Sequence, residues 1–317
     1  MRVYSVDETE RGLDFTQLIA TLESAFASNV SVPLRHTHHI ESGGHRGVSL
    51  IMPAWNDRGD FGIKVINIYG GNAVLGLPGL HGVYTLFDGR TGVPVASMDA
   101  NVLTAWRTAA ASALAAKFLA PTDAKTLLVV GGGRVAELLP LAYSAVRPIQ
   151  RILVWTRRKE QAYKLVAQLS SRGLVAEAID SLESAVRAAD IVTCATLSRQ
   201  PLIQAAWLKR GSHLDLIGSF TPEMIEAHPD CFQDAEVFVD TDEAPTKAGD
   251  LLTAFASNAL NPVEIKGTLF DLCQRKTIPA LMCREDRKNR TVFKSVGSAL
   301  EDLAAAVLVQ HQMSKCY

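Results

Sequence analysis

Cysteine is sparse and unpatterned in this 317-residue sequence: Cys194, Cys231, Cys273, Cys283 and Cys316 are odd in number and scattered. With no Cys-x-x-Cys among them, neither a disulfide framework nor a zinc knuckle is indicated, and they read as free thiols in a reducing compartment. No apolar run approaches the ~18 to 20 residues that span a bilayer. The first ten residues, Met1-Arg-Val-Tyr-Ser-Val-Asp-Glu-Thr-Glu, are acidic where a secretory signal is basic and then apolar. These absences predict a soluble, cytoplasmic chain with no membrane partner. Charge of one sign is missing as well. Lys and Arg total 32 against 33 Asp and Glu, a net charge of −1, which leaves no global field for a polyphosphate backbone and argues against a nucleic-acid partner.

What is present is core material: 48% apolar and 21% charged residues exclude disorder over most of the length, and a domain size of ~150 residues predicts about two domains. Asp14 to Phe26 carries Phe15, Leu18, Ile19, Leu22 and Phe26 at helical spacing. From Val48 to Asp99 short β-type runs are broken by Gly70-Gly71-Asn72 and by Asp88-Gly-Arg-Thr-Gly92, the pattern of antiparallel hairpins. Asn101 to Leu119 is Ala-rich and helical, with Pro121 marking its end. From Lys125 onward strands alternate with helices of 10 to 15 residues, which predicts parallel βαβ units. A last helix is expected from Ser298 to Gln310.

Val129-Val-Gly131-Gly132-Gly133-Arg134-Val135-Ala136 is a strand followed by G-x-G-x-x-A at the mouth of a helix. Gly131 suits the tight turn, Gly133 the approach of a pyrophosphate, and Ala136 close packing of helix on strand. The helix N-terminus then faces the phosphates, with Arg134 and Val135 in its first turn. An ordinary strand-to-helix turn is the plain alternative. The next strand ends in Trp155-Thr156-Arg157-Arg158. An acid there would bind the ribose hydroxyl of NAD, whereas a hydroxyl and two guanidinium groups suit a 2′-phosphate. NADPH is therefore the expected cofactor, with NADH as the second choice.

Three cations upstream stand out. Lys64 lies within Gly62-Ile-Lys-Val-Ile, Arg107 within an Ala-rich helix, and Arg35 in Val32-Pro-Leu-Arg-His. Buried cations need anionic partners, and two Arg with one Lys beside a nicotinamide would hold a substrate carboxylate and polarise C=N or C=O. On the other reading, Lys64 faces solvent on an alternating strand and Arg107 pairs with a nearby Asp.

These segments together resemble the ornithine cyclodeaminase/mu-crystallin family. The resemblance runs through Gly62-Ile-Lys-Val with Gly70-Gly-Asn, Tyr84-Thr-Leu-Phe-Asp-Gly-Arg-Thr-Gly, Leu103-Thr-Ala-Trp-Arg-Thr-Ala-Ala, the turn Gly131 to Ala136, Thr196-Leu-Ser-Arg-Gln-Pro and Phe293-Lys-Ser-Val-Gly. It implies an α/β fold: a Rossmann-type doubly wound parallel sheet, 121–294, inserted into a smaller α/β substrate-binding and dimerisation domain, 1–120 completed by 295–317. It further implies a homodimer, substrate contacts from Arg35, Lys64 and Arg107, and coenzyme contacts from Thr196, Ser295 and Gly297. Cyclodeaminases of the family carry an aspartate that here falls on or next to Phe220, and no carboxylate precedes Pro222. The resemblance is thus to the ketimine reductases, which reduce 1-pyrroline-2-carboxylate to proline and 1-piperideine-2-carboxylate to pipecolate. A cyclodeaminase-type lyase and a non-catalytic NADPH-dependent binding protein of mu-crystallin type are the competing readings, with an amino-acid dehydrogenase a further one.

On the reductase reading, Arg35 and Arg107 clamp the carboxylate and Lys64 orients it. Lys64, His45 or a water on Ser219 or Thr221 are candidate proton donors to the ring nitrogen. Glu223 as a displaced acid is expected to point elsewhere. His36, His38 and His39 invite a metal, but no third ligand at characteristic spacing accompanies them, so a loop and no metal are expected.

Overall fold

The computed structural model describes residues 1–275 and 289–315. Cys194 and Cys231 are buried free thiols and Cys273 is buried; Cys283 and Cys316 lie outside the described residues. The chain divides into two compact units, Met1–Arg107 with Ser298–Tyr317, and Thr108–Gly297.

The first unit is a seven-stranded sheet under helices. Its strands are β1 (Arg2–Val3), β2 (Val30–Ser31), β3 (His36–Ser42), β4 (His45–Asn56), β5 (Asp60–Ile68), β6 (Leu80–Asp88) and β7 (Pro94–Asp99), in the order β1-β7-β6-β5-β4-β2 with β3 paired to β4. β4 to β7 pair antiparallel, as the hairpin signals predict. β1 joins β7 in parallel. Alternation sorts the two faces: Met52, Ala54, Gly62, Lys64, Ile66, Tyr84, Leu86, Ala96 and Met98 are buried, while their neighbours along each strand are not. Helix α1 (Val6–Arg11) opens with a capping box of Ser5 and Glu8. Helix α2 (Phe15–Ala27) starts where the Asp14 side chain accepts from Gln17 N, and it buries the five apolar side chains read from the sequence. Each of those contributes ~1.5–3 kcal/mol on burial. The C-terminal helix, Ala299–Ser314, capped by Ser298, packs on α2 and on β4 to β6.

Helix α3 (Ala100–Leu119) contains the division between the units. Its run of alanines, buried on all sides, is explained by close packing, since small side chains let neighbours approach the backbone. The second unit is an eight-stranded parallel sheet built from β8 (Thr126–Val130), β9 (Arg151–Trp155), β10 (Ala176–Ala178), β11 (Ile191–Cys194), β13 (His213–Leu216), β15 (Ala235–Val239), β16 (Gly267–Thr268) and β17 (Arg290–Lys294), in the order β10-β9-β8-β11-β13-β17-β15-β16. β12 (Arg199–Ile203) and β14 (Ile225–Ala227) form a separate pair. The leading order is that of a Rossmann-type doubly wound sheet. β8 is followed by α4 (Arg134–Ser144), β9 by α5 (Lys159–Ser171) and β10 by α6 (Leu182–Ala188). Leu127 to Val130 are fully buried, as strands covered on both faces require.

The sheet also buries a carboxylate. Asp215 on β13 accepts from Ser112 Oγ at 3.2 Å, Tyr143 OH at 2.8 Å and Thr193 Oγ1 at 2.6 Å. Burial nonetheless pushes its pKa up to about 6, against the pull of those three hydroxyls. Among the described residues no helix is long and apolar enough to cross a membrane.

Candidate functional site

The coenzyme side of the site is the glycine turn of the second unit. Gly131 has φ of +136°, and a Cβ there would stand 2.5 Å from Ala195 O. Only glycine fits a position that is both left-handed and this crowded. Its N–H donates to Trp155 O at 3.0 Å, locking the turn to the end of β9. Gly132 lies against Thr156 and Gln161, where a Cβ would meet Thr156 Cγ2 at 3.0 Å. Gly133, the N-cap of α4, is the opposite case: it is exposed, and a Cβ would meet nothing within 4 Å. The space over Gly133 and the N-terminus of α4 fit the pyrophosphate of a dinucleotide, and Ala136, fully buried, lets the helix sit close.

Arg134, Arg157 and Arg158 are exposed, and none of them forms an ion pair or hydrogen bond through its side chain among the described residues. Arg158 is the N-cap of α5, an end where the helix dipole disfavours cations. The buried Thr156 hydroxyl donates to Arg158 O at 2.6 Å, so it shapes this loop instead of standing free. No acidic residue lies between Trp155 and Lys159.

The loops that leave β11 and β13 are tied by a carboxylate that the sequence reading missed. Glu226, fully buried, accepts from Thr196 N at 2.7 Å, Thr196 Oγ1 at 2.8 Å and Gly218 N at 2.6 Å. Asp250 accepts from the Glu226 and Ala227 N–H groups, and Lys294 lies 3.8 Å from its Oδ2 while donating to Leu216 O. Burial raises the pKa of Glu226, with Lys294 pulling against it and Asp250 adding to it. Asp240 holds the loop after β17 by accepting from Val296 N and Gly297 N at 2.7 and 2.6 Å. Gly297 has φ of +82°, and Ser295 is buried with its N–H on Leu216 O.

In the first unit the structure joins Lys64 and Arg107 through one carboxylate, while Arg35 shares no hydrogen bond or ion pair with either among the described residues. The Lys64 and Arg107 side chains are 3% and 8% exposed, and both bind Asp302 of the C-terminal helix, which is fully buried. Arg107 Nε donates to Asp302 Oδ1 at 3.0 Å and Arg107 Nη1 to Glu301 Oε2 at 2.6 Å. Lys64 Nζ pairs with Asp302 Oδ2 and reaches Thr104 Oγ1 at 3.4 Å. The solvent-facing alternative for Lys64 is thus set aside, and the pairing of Arg107 with an aspartate is what the structure displays. Arg107 Nη2 is the guanidinium nitrogen without a protein partner among the described residues.

Burial pushes the Lys64 ammonium down to about 8; Asp302 opposes that fall and Arg107 adds to it. Burial works against the Arg107 charge too, but Asp302 and Glu301 outweigh it and raise its pKa. Tyr84, paired with Lys64 in register across β5 and β6, is fully buried with a hydroxyl that has no hydrogen-bond partner among the described residues. Burial, then Asp302 and Asp60, hold that phenol well above its usual range.

Arg35 is half-buried between β2 and β3, joined by no hydrogen bond or ion pair to the Lys64 cluster. His36, His38 and His39 are not in the loop expected for them but on β3, exposed and paired with β4. Among the described residues no three His, Cys, Asp or Glu are placed to hold a metal. His45, a candidate proton donor, is exposed at the start of β4. Ser219 is fully buried and already bonded to Met224 O and Asp250 N, which removes it as a water holder. Phe220 is 45% exposed, and Glu223 is exposed.

Comparison with known proteins bears on the whole chain. The family model described as the ornithine cyclodeaminase/mu-crystallin family matches residues 1–316. A Delta(1)-pyrroline-2-carboxylate reductase of Paracoccus denitrificans is 36% identical over 286 residues, 90% of this chain and 89% of that protein. The ketimine reductase mu-crystallin of Rattus norvegicus is 30% identical over 321 residues, covering 98% and 96%. Among solved structures, the Delta(1)-pyrroline-2-carboxylate reductase of Thermococcus litoralis, in complex with NADH and L-proline, superposes with a TM-score of 0.90 at 28% identity, covering 100% of this chain and 98% of that one. The chain belongs to the ornithine cyclodeaminase/mu-crystallin family.

Proposed function

We propose that this protein is a reductase that uses NADPH to convert cyclic ketimines bearing a carboxylate, 1-pyrroline-2-carboxylate and 1-piperideine-2-carboxylate, into proline and pipecolate. The reaction consumes one imine, one NADPH and one proton. When bound, the coenzyme supplies the hydride; the protein supplies binding, orientation and charge. The open face of Gly133 and the N-terminus of α4 hold the pyrophosphate, and the unpaired Arg157 and Arg158 take the 2′-phosphate. Thr196, Ser295 and Gly297, on loops fixed by Glu226 and Asp240, hold the nicotinamide half. Arg107, through Nη2, and Lys64 take the ring carboxylate, with Arg35 as a third cation. Lys64 is the proton donor we favour among the candidates, because its pKa of about 8 places proton loss near neutrality.

The observation that carries the choice of a reductase over a cyclodeaminase is Phe220. By the family resemblance the position of the deaminating acid falls on or next to Phe220, Glu223 is exposed, and Glu226 is occupied by three donors from Thr196 and Gly218. The names of the relatives support the same choice. Incubation with NADPH and a five- or six-membered ketimine should oxidise the coenzyme, whereas ornithine with NAD should release no ammonia. Ammonia without net oxidation would establish the lyase, and tight ligand binding with neither activity the mu-crystallin type of binding protein.

We also propose a homodimer formed through the sheet of the first unit. On the face opposite Lys64, Trp55, Phe61 and Phe87 stand in one cross-strand row, with Phe61 and Phe87 stacked at 5.1 Å and Trp55 43% exposed. Ile51, Val65 and Val83 form another row. An apolar sheet face this wide calls for a cover. Sedimentation should give twice the chain mass, and a Trp55→Glu variant should shift it toward the monomer.

A further inference from the structure

We propose that Asp302 is a positioning residue for the reaction: its two carboxylate oxygens fix the Arg107 guanidinium and the Lys64 ammonium as one unit and aim their remaining donors at the substrate's carboxylate. This rests on the reductase reading above and adds to it a residue that would touch neither substrate nor coenzyme.

The position has a bland explanation. Acids in the first turn of a helix favour its dipole, and Glu301 and Asp302 lie in the first turn after the Ser298 cap. Burial argues against that as the whole account. Asp302 is fully buried, and a solvated dipole partner has no need to be. Its Oδ1 takes Arg107 Nε at 3.0 Å and its Oδ2 takes Lys64 Nζ, so one carboxylate bridges two cations held by two other elements, α3 and β5. Glu301 accepts a further bond from Arg107 Nη1 and acts on Lys64 through its charge. With Nε and one N–H of Nη1 engaged, the guanidinium plane is fixed and Nη2 keeps both of its N–H donors for a substrate. Lys64 likewise spends donors on Asp302 and on Thr104 Oγ1.

Among the described groups of the cluster, two cations, Lys64 and Arg107, stand against two carboxylates, Glu301 and Asp302. The groups that face Lys64 are Asp302 and Glu301 from the C-terminal helix, Arg107 and Thr104 from α3, and Tyr84 from β6, with Asp60 acting on Tyr84. Burial already lowers the ammonium to about 8 with Asp302 in place. Taking away the Asp302 charge leaves one buried cation uncompensated, and Lys64 is the one that can shed it, since Arg107 cannot.

The test is the Asp302→Asn variant. With NADPH saturating, kcat/KM for the ketimine is followed from pH 5.5 to 9.5. The wild-type protein should lose activity on the alkaline side near pH 8, and the variant should lose it at least about one pH unit lower. The ketimine KM should rise on the order of 10-fold while the NADPH KM stays put. An unmoved alkaline limb with an unmoved ketimine KM would overturn the proposal and leave Asp302 as a structural charge balance. If Asp302→Asn does not fold, Asp302→Glu carries the test: it keeps the charge, so the limb should stay, but the longer side chain cannot serve both cations at once, so the ketimine KM should rise; an unchanged KM overturns the proposal. Because turnover could be absent for other reasons, NMR titration of lysine Nζ provides a readout free of activity. Lys64 should titrate near pH 8 in the wild-type protein and lower in Asp302→Asn. Equal midpoints would contradict the coupling even if no imine were ever reduced.

Discussion

The two outer glycines of the coenzyme turn should respond to the same substitution in opposite ways. Gly131→Ala places a Cβ 2.5 Å from Ala195 O on a backbone with φ of +136°. The strained dihedral alone costs ~1–3 kcal/mol, and the contact with the Ala195 carbonyl just past the neighbouring β11 adds to it, so the apoprotein should unfold at markedly lower temperature or urea concentration. Gly133→Ala meets nothing within 4 Å and sits at φ of −96°. Removing glycine from a permitted conformation stabilises by ~0.4–1 kcal/mol, through the unfolded chain. If the pyrophosphate lies over Gly133, however, the new methyl group occupies its place. Losing one charge-assisted hydrogen bond of ~1.5–3 kcal/mol weakens NADPH binding on the order of 10- to 100-fold. Thermal melts of the two apoproteins and fluorescence titration with NADPH read both quantities. A Gly133→Ala variant that binds NADPH as the wild type does would refute the assignment of the cradle, and a Gly131→Ala variant as stable as wild type would refute the geometric argument.

The remaining expectations concern charge. Replacing Arg157 and Arg158 by Ala should reduce the NADPH/NADH ratio of kcat/KM at least about 10-fold without lowering the melting temperature, because cations oppose the dipole at the start of α5; an unchanged ratio would contradict their 2′-phosphate role. Arg107→Lys keeps a cation for Asp302 and Glu301 but removes Nη2, so the ketimine KM should rise on the order of 10-fold with the NADPH KM unmoved; equal effects on both would argue against a carboxylate contact. Asp215 has a native pKa of about 6 above its unfolded value of ~3.9, so the native state binds the extra proton in that window. Stability from this group is full below pH ~4 and is lost as pH rises through 6, by up to ~3 kcal/mol. Asp215→Asn has no proton to lose, so urea unfolding should show the variant gaining on wild type between pH 4.5 and 7.5, and a constant difference would exclude the effect.

The sequence disclosed what depends on local pattern and hid what depends on distant pairing. Gly131 to Ala136 and the acid-free end of β9 were legible because strand, turn and helix are contiguous. Short β-type runs broken by glycine turns made the antiparallel hairpins of β4 to β7 legible, because each turn is contiguous with the strands it joins. Lys64 and Arg107 stood out as cations in apolar surroundings, but their partners did not, although Glu301 and Asp302 lie in an equally apolar helix and should have raised the same question. Chain separation explains the miss: Arg107 and Asp302 are 195 residues apart. Glu226 was passed over for a related reason. Its neighbours Thr196 and Gly218 come from other loops, and nothing in Ile225-Glu-Ala marks it as buried. The strand of the three histidines is not legible in the sequence because His36 to His39 are all exposed, without the alternation that identifies a half-buried strand.

Hydride delivery to the ring carbon next to the carboxylate is the central claim, and isotope transfer tests it most directly. NADPH carrying deuterium at C4 is mixed with the protein and 1-pyrroline-2-carboxylate, and the product is analysed by mass spectrometry and NMR. The account requires proline labelled at its α-carbon by one of the two C4 faces, in step with coenzyme oxidation. Oxidation that leaves the proline unlabelled, or ketimine that is returned unchanged beside intact NADPH, would contradict it.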